Sequence, residues 1–273
     1  MNLFENVSFD PARFHQDMRD MIGARQVYCI FFTPRSGSSW LTDVISSCRR
    51  MGRPEEYYNP NFVPNIANRI NADNIVNYTK MAKRHLHLGG VFGFEVTYYQ
   101  ILKAVGEDVF GQLFPSSTKT FYLVREDIVL QAVSLAKAVN TSVFHSVSAS
   151  DDQIKAADSA FAYDGDEIDR WLDHILDQEQ KFQAFFDKYG YQPDRVSYEK
   201  MMAAGREQVV RFFATKLGVT LAKDAAPTER HRKIGSDVNT VFATRYRNDF
   251  AKKIEKIDAE RQEYLSKITV FNQ

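Results

Sequence analysis

FFTPRSGSSWLTDVISS, residues 31–47, joins a short apolar run to a segment whose apolar residues recur at helical spacing. Pro34 disfavours helical geometry at Thr33 and has no N–H group, so the apolar run should end there as a strand. Gly37 permits a backbone turn that a residue with a Cβ atom resists. The stretch therefore predicts a strand, a tight turn and a helix in direct succession.

This junction is a place where backbone N–H groups gather around an anion. The amides of Ser36, Gly37, Ser38 and Ser39 lie at the predicted start of the helix, where they lack intrahelical partners and the helix dipole is positive. We expect them to converge on a phosphate or sulfate, with the Arg35 guanidinium and the serine hydroxyls completing the site. A plain helix start capped by a serine is the alternative at this point.

Composition limits the classes of protein and partner. The chain has 273 residues, 44% of them apolar, with Lys+Arg and Asp+Glu at 35 each, so net charge is zero and a nucleic acid is not expected as the main partner. No apolar stretch approaches the roughly 18 residues of a membrane span. The first 25 residues contain no signal-peptide core, and Cys29 and Cys48 fall in apolar patterns typical of reduced thiols. We expect a cytoplasmic protein without a membrane span.

Strands and helices alternate along the chain. The predicted strands are residues 26–33, 91–96, 118–124 and 195–198. Two predicted helices begin at Ser38 and near residue 241. Five more are predicted over about residues 73–86, 99–105, 127–139, 168–190 and 209–217. This order predicts a P-loop-like three-layer α/β/α fold with a central, mainly parallel sheet. Because no repeat or linker is present, residues 1–273 are expected to form a single domain, with a mobile basic loop near 227–237.

The predicted anion site does not match a magnesium–nucleotide site. The Walker pattern needs a first glycine and a lysine that this loop lacks. Metal-dependent P-loop enzymes have an aspartate at the end of a second apolar strand, where it binds Mg²⁺. In this chain the comparable strand, TFYLV, is followed by Arg125. Ser134, nine residues further on, lies on the next predicted helix and can add a hydroxyl donor. Two anion-binding features on neighbouring strands imply a metal-free ligand with two separated anionic ends.

Several motifs together resemble those of sulfotransferases. TPRSGSSWL (residues 33–41) resembles the 5′-phosphosulfate loop, and VREDIVLQAVS (124–134) resembles the 3′-phosphate element. GRPEEYY (52–58), GVFGFEV (90–96) and QAVSLAKAVNTSVF (131–144) are similar to the bacterial trehalose and glycan sulfotransferases, the branch that includes trehalose 2-sulfotransferase. The resemblance covers roughly residues 26–200.

The resemblance implies transfer of a sulfuryl group from 3′-phosphoadenosine 5′-phosphosulfate to a hydroxyl of a small-molecule carbohydrate or glycolipid acceptor, with 3′-phosphoadenosine 5′-phosphate (PAP) as product and no metal. It also implies a homodimer. Carried over residue by residue, the phosphosulfate ligands are Arg35, Ser36, Gly37, Ser38 and Ser39. The 3′-phosphate ligands are Arg125 and Ser134. Tyr198 would lie near the adenine, and Arg232 and Lys233 would close over the donor. Glu56 matches the proposed general base, and Arg35 would stabilise charge during transfer.

One residue departs from the family pattern. Glu95 in GVFGFEV stands where the family is expected to have a lysine. The sequence leaves open whether Glu95 faces the acceptor, pairs with Arg35 or is itself the base. Two other functions also remain open: a catalytically silent PAP-binding or nucleotide-binding adaptor of the same fold, and a metal-independent relative of nucleotide kinases, which the missing Walker lysine disfavours. His85 and His87 form a pair without a further ligand cluster, so they are not expected to bind a metal.

Overall fold

Four parallel strands form the central sheet. The structure is a computed structural model and describes residues 2–144, 150–222, 227–228, 237–269 and 271. The strands are β1 (Gln26–Phe32), β2 (Val91–Val96), β3 (Lys119–Val124) and β4 (Asp194–Ser197). Their order is β2-β1-β3-β4, and every neighbouring pair is parallel. The predicted α/β fold is confirmed, with strand bounds within one residue of those expected from the apolar runs.

Helices connect and flank the strands. They are α1 (Pro11–Asp20), α2 (Ser38–Ser47), α3 (Val63–Arg69), α4 (Ile75–His85), α5 (Tyr98–Gln100, continued by a π-helical turn, Ile101–Val105), α6 (Glu107–Leu113), α7 (Ile128–Thr141), α8 (Asp151–Ala160), α9 (Gly165–Tyr189), α10 (Tyr198–Ala204), α11 (Arg206–Leu217), α12 (Asp237–Asp249) and α13 (Ala251–Ser266). The helices α1, α3, α6, α8 and α10 were not predicted. Of these, α3, α6 and α10 have seven residues, which offers too few turns for a periodic pattern. In the described ranges, no helix combines the length and apolar character that crossing a membrane requires.

Both faces of the sheet are covered by apolar side chains. On one face, Phe31 of β1 packs against Phe182 and Phe186 of α9, with ring centroids 5.5 and 5.0 Å away. On the other face, the buried Ile30 belongs to a cluster that includes Leu41 of α2. Successive side chains of a strand point to opposite faces, which explains why β1 reads as a continuous apolar run. Cys29 and Cys48 are free thiols.

The carboxyl ends of the strands lie at one edge of the sheet, since all four are parallel. The turn after β1, the turn after β3 and the start of α10 after β4 therefore meet there. β1 and β3 are neighbours, with Phe32 opposite Leu123. This adjacency brings the two predicted anion-binding features to the same place, as expected for ligand sites at strand ends of open α/β sheets.

Candidate functional site

The loop after β1 turns sharply before α2 begins. Arg35 (φ 65°) and Gly37 (φ 92°) are both in the left-handed region, and α2 begins at Ser38. Gly37 is the N-cap residue and has no side chain, so the alternative of a serine cap is not what the structure has. The first intrahelical bond runs from the Leu41 amide to the Gly37 carbonyl (3.2 Å), which places the amides of Ser38 and Ser39 before it.

Ser36 differs from its predicted role in one respect. Its amide donates to the Thr33 carbonyl over 3.3 Å, so this N–H group already has a backbone partner within the turn. Its side chain is fully buried, and in the described part of the chain Oγ has no hydrogen-bond partner. A buried hydroxyl of this kind is a ready donor for a ligand oxygen.

Tyr198 lies between the two predicted anion-binding features. A Cβ atom at position 37 would lie 2.3 Å from Tyr198 Cδ2, so the ring requires a glycine beside it. Cζ of Arg125 lies 4.3 Å from the centroid of the same ring, which is a cation–π contact. The Tyr198 ring therefore holds the loop after β1 and the arginine after β3 in a common arrangement.

Arg125 is held by a partner that the sequence did not reveal. Its Nε donates to Glu199 Oε1 over 2.7 Å, and its side chain is only 11% exposed. Glu199 also accepts from the amides of Glu126 (2.9 Å) and Asp127 (3.3 Å), so it organises the whole turn after β3. The position of Glu199 in the sequence could have predicted this contact, because Glu199 follows β4 and β4 ends beside β3 at the same edge of the sheet.

Arg35 connects the two features directly. Its Nε donates to Ser134 Oγ over 3.1 Å, and its Nη1 donates to the Phe144 carbonyl. Arg125 Nη1 in turn donates to the Arg35 carbonyl over 3.4 Å. Burial, reinforced by the charge of Arg125, lowers the pKa of Arg35 to about 10. The two features are thus contiguous, where the sequence suggested separate ones, because the strands that carry them are neighbours.

A buried ion pair supports the turn that contains Arg125. Arg261 of α13 is 4% exposed and binds Glu179 of α9 through Nε (3.0 Å) and Nη2 (2.9 Å). It also donates to the carbonyls of Glu126 (3.0 Å) and Arg125 (2.7 Å). The sequence prediction missed Arg261, although it follows Ile257 on the buried stripe of its helix, where a charge needs a partner.

A cavity of about 250 Å³ opens beside the loop after β1. Its lining includes Ser39 from the start of α2, together with Glu55, Glu56 and Glu95. The Glu95 amide donates to the Glu55 carbonyl over 3.1 Å, which brings the segment GRPEEYY against the end of β2. The structure therefore brings the predicted base next to a predicted donor-binding residue.

Glu56 is oriented by two amide side chains. Asn59 Nδ2 donates to Glu56 Oε2 over 2.8 Å, and Gln100 Nε2 donates to the same oxygen. Gln100 is fixed in turn by a capping box with Thr97 at the start of α5. Both of these bonds go to Oε2.

Glu95 lies beside Ser38 and Glu56 rather than beside Arg35. Its side chain is 5% exposed, and Oε2 has no hydrogen-bond partner among the described residues. Burial raises the pKa of Glu95 well above 4.5, and the charges of Glu56 and Glu55 raise it further against a smaller opposing effect of the Ser38 hydrogen bond. The neutral acid is therefore favoured at this position over a much wider pH range than for an exposed glutamate.

Other predicted residues have different outcomes. Arg232 and Lys233, with most of the basic loop near 227–237, lie outside the described residues. Across the described ranges, no group of three or more His, Cys, Asp and Glu side chains is placed to hold a metal ion.

The comparison with known families decides the identity. The model of the Stf0 sulphotransferase family matches residues 102–249, slightly more than half of the chain. The chain belongs to the Stf0 sulphotransferase family. Membership supports a sulfotransferase activity in general terms. A search of curated proteins finds no match.

The region matched by the Stf0 sulphotransferase model contains part of the site. Arg125, Ser134 and Tyr198 fall within it, whereas Arg35 and Glu56 precede it. In this Stf0 sulphotransferase, the family match therefore does not include the loop after β1 or the three glutamates of the cavity.

Proposed function

We propose that the chain transfers the sulfuryl group of 3′-phosphoadenosine 5′-phosphosulfate to a hydroxyl of a carbohydrate or glycolipid, with Glu56 as general base. One observation carries the proposal: the cavity that contains Glu56 borders Ser39, while Arg35 of the same loop contacts Ser134. A small donor bound along this loop would therefore have one end near Ser134 and Arg125 and the other end near the proposed base.

The residues around the loop fit the two anionic ends of this donor. The buried Ser36 hydroxyl, which has no partner in the described chain, and the start of α2 suit the 5′-phosphosulfate. We assign this end to Arg35, Ser36, Gly37, Ser38 and Ser39. The neighbouring guanidinium of Arg125 and hydroxyl of Ser134 suit the 3′-phosphate, because charge-assisted hydrogen bonds to phosphate are the strong ones.

The donor, when bound, supplies an activated sulfuryl group with a phosphate as leaving group. Sulfuryl transfer, like phosphoryl transfer, needs the attacking oxygen, the sulfur and the leaving oxygen in line, so positioning and neutralisation of charge do most of the work. The start of α2 and Arg35 would stabilise the negative charge that grows on the leaving phosphate. Loss of one such donor typically raises the barrier by about 3 kcal/mol.

Glu56 is suited to take the proton of the acceptor hydroxyl. Asn59 and Gln100 hold Oε2, so the carboxylate has a defined orientation in the cavity wall. Oε1 would then accept the hydroxyl proton as the oxygen attacks sulfur. A positioned general base of this kind contributes roughly 10²- to 10⁴-fold to the rate.

Several finer assignments are part of the same proposal. Tyr198 would lie near the adenine, which its position between Gly37 and Arg125 supports. Closure of Arg232 and Lys233 over the donor and a homodimer rest on the motif resemblance. A cytoplasmic location rests on the pattern of Cys29 and Cys48, which is typical of reduced thiols. A single domain over residues 1–273 is supported by the bonds from Arg261 of α13 to the turn after β3.

Calorimetry with PAP and, separately, with ATP-Mg tests the donor assignment. We expect PAP to bind more tightly, because the site offers cations in place of a metal-binding aspartate. Tighter binding of ATP-Mg would contradict the proposal. Transfer of label from donor to a panel of sugars and lipopolysaccharide fragments then tests the activity, and PAP binding without transfer to any of them would favour the catalytically silent alternative.

A further inference from the structure

The cavity beside Ser39 has an acidic wall and an apolar wall. The acidic wall consists of Glu55, Glu56 and Glu95, and the apolar wall of Tyr57, Phe62 and Ile66. Within the described part of the chain, no lining residue is basic. Arg53 approaches Glu55 with N and O 3.9 Å apart, but both side chains are more than half exposed, so water screens this pair. The cavity consequently presents negative charge to a ligand.

Glu95 carries a buried oxygen that a ligand could satisfy. Its side chain is 5% exposed and lines the cavity, and Oε2 has no partner among the described residues. A buried polar atom without a hydrogen bond is unfavourable, so an N–H or O–H group of a ligand at this point would stabilise the complex. Burial and the charges of Glu56 and Glu55 also raise the pKa of Glu95, and a cation in the cavity would offset that repulsion.

In the apolar wall, Tyr57 is held by two contacts and Phe62 is exposed, an arrangement that suits one face of a sugar ring. Tyr57 stacks on Phe92 with centroids 5.6 Å apart, and its hydroxyl donates to the Arg53 carbonyl over 2.9 Å. Phe62 is 51% exposed at the same cavity. Aromatic faces of this kind pack against the C–H groups of a pyranose while its polar groups face the carboxylates. The volume of about 250 Å³ is below the range of about 300–1,000 Å³ typical for drug-sized ligands, and so suits one monosaccharide unit.

We infer that this cavity binds an acceptor ring that carries a protonated amine and no acidic group, that is, an amino sugar. The inference rests on the proposed function, because it takes the cavity to be the acceptor site. The ammonium donates to Glu95 and is attracted by Glu55, while a ring hydroxyl lies at Glu56. A uronic acid is rejected because its carboxylate would meet like charges without a cation to pair with.

The test uses calorimetry on the full chain in two stages. PAP alone is titrated first, which reports on the donor site independently. Glucosamine, glucose and glucuronate are then titrated into the PAP-saturated protein at a pH below the pKa of the amine. These three probes have the same ring and differ in charge. We expect glucosamine to bind about tenfold more tightly than glucose, the effect of one hydrogen bond that involves a charged group, and glucuronate more weakly than glucose.

Two variants test which residues cause the preference for glucosamine over glucose. Glu55→Gln and Glu95→Gln should each reduce the preference for glucosamine over glucose, whereas the exposed Glu263→Gln on α13 should leave it unchanged. Equal binding of the three sugars, preference for glucuronate, or no measurable glucosamine binding while PAP binds would each overturn the amino-sugar inference and leave the donor assignment intact. Failure of PAP to bind would instead count against the proposed function.

Discussion

Arg35 Nε donates to Ser134 Oγ over 3.1 Å, so the loop after β1 contacts α7, the helix after β3, at Ser134. Ser134 is the residue assigned to the 3′-phosphate, and Arg35 is assigned to the 5′-phosphosulfate. The groups proposed for the two ends of the donor are therefore within reach of one small molecule. This contact provides the geometric basis for the predictions on donor binding.

Arg125→Ala should weaken PAP binding by roughly 10- to 100-fold, because hydrogen bonds to charged groups contribute about 1.5–3 kcal/mol. The fold should persist, since Arg125 lies at the end of β3 and contacts Glu199 rather than the apolar core. Calorimetry with PAP and with 5′-AMP, which lacks the 3′-phosphate, separates the two ends of the ligand. Arg170→Ala, on the exposed side of α9, is the matched control. Unchanged PAP affinity in Arg125→Ala would contradict the assignment.

Glu56→Gln should lower kcat by roughly 10²- to 10⁴-fold with little change in PAP affinity. Glutamine keeps an oxygen that can accept from Asn59 and Gln100 but cannot take a proton from the acceptor. Steady-state kinetics with labelled donor, together with PAP calorimetry, make the comparison. Glu95→Gln is the informative partner variant, and a larger loss of kcat there would identify Glu95 as the base.

Gly37→Ala should weaken PAP binding and reduce the free energy of unfolding by roughly 1–3 kcal/mol. The new Cβ would combine an unfavourable φ of 92° with a position 2.3 Å from Tyr198. Gly106→Ala is the control, because Gly106 has a similar φ of 84° and no atom within 4 Å of a Cβ placed there. Denaturant unfolding of both variants isolates the cost of the contact with the ring. Equal destabilisation and unchanged PAP affinity would show that the ring is free to move aside.

Arg261→Lys should reduce PAP affinity more than 5′-AMP affinity. Lysine keeps the positive charge beside Glu179 but cannot reproduce the paired bonds to the carbonyls of Arg125 and Glu126. The turn that contains Arg125 should then be held less firmly in place. We therefore expect the ratio of PAP affinity to 5′-AMP affinity to fall about tenfold. Arg170→Lys is the control. A parallel loss for both ligands would indicate a purely structural role for Arg261.

Glu95→Gln should change how stability depends on pH. The raised pKa of Glu95 means that, above pH 4.5, the folded state binds more protons than the unfolded state. Stability from this group is therefore fully present below pH 4.5 and is lost as the pH rises. Glutamine cannot ionise, so the variant should gain stability relative to the parent protein with rising pH, by up to about 1.4 kcal/mol per pH unit.

Urea unfolding of the parent protein and Glu95→Gln at a series of pH values checks this prediction. The comparison between the two proteins removes the contribution of other buried acids such as Glu179, whose pKa is also raised by burial. Glu56 and Glu55 face Glu95 and remain in both proteins. A constant difference in stability across the pH series would mean that Glu95 is not held in its neutral form.

The sequence by itself determined the parts of this protein that depend on short-range rules. Pro34 and Gly37 mark the end of β1 and the turn into α2, and Arg125 directly follows an apolar strand. Continuous apolar runs separated by helical patterns were enough to predict a parallel sheet with both faces covered. Each of these features is a property of neighbouring residues, so it can be read without knowing the distant contacts.

Only the tertiary structure decided which distant residues meet. Arg35 and Ser134 are 99 positions apart, and Arg261 and Arg125 are 136 apart. Their contacts follow from the order and register of the strands and from the packing of α13, which no local pattern encodes. The same is true of Glu95. Its neighbours Glu55 and Glu56 belong to a segment that lies against β2 although it is distant from Glu95 in the sequence. Burial beside Glu56, rather than residue type, is what favours the neutral form of Glu95.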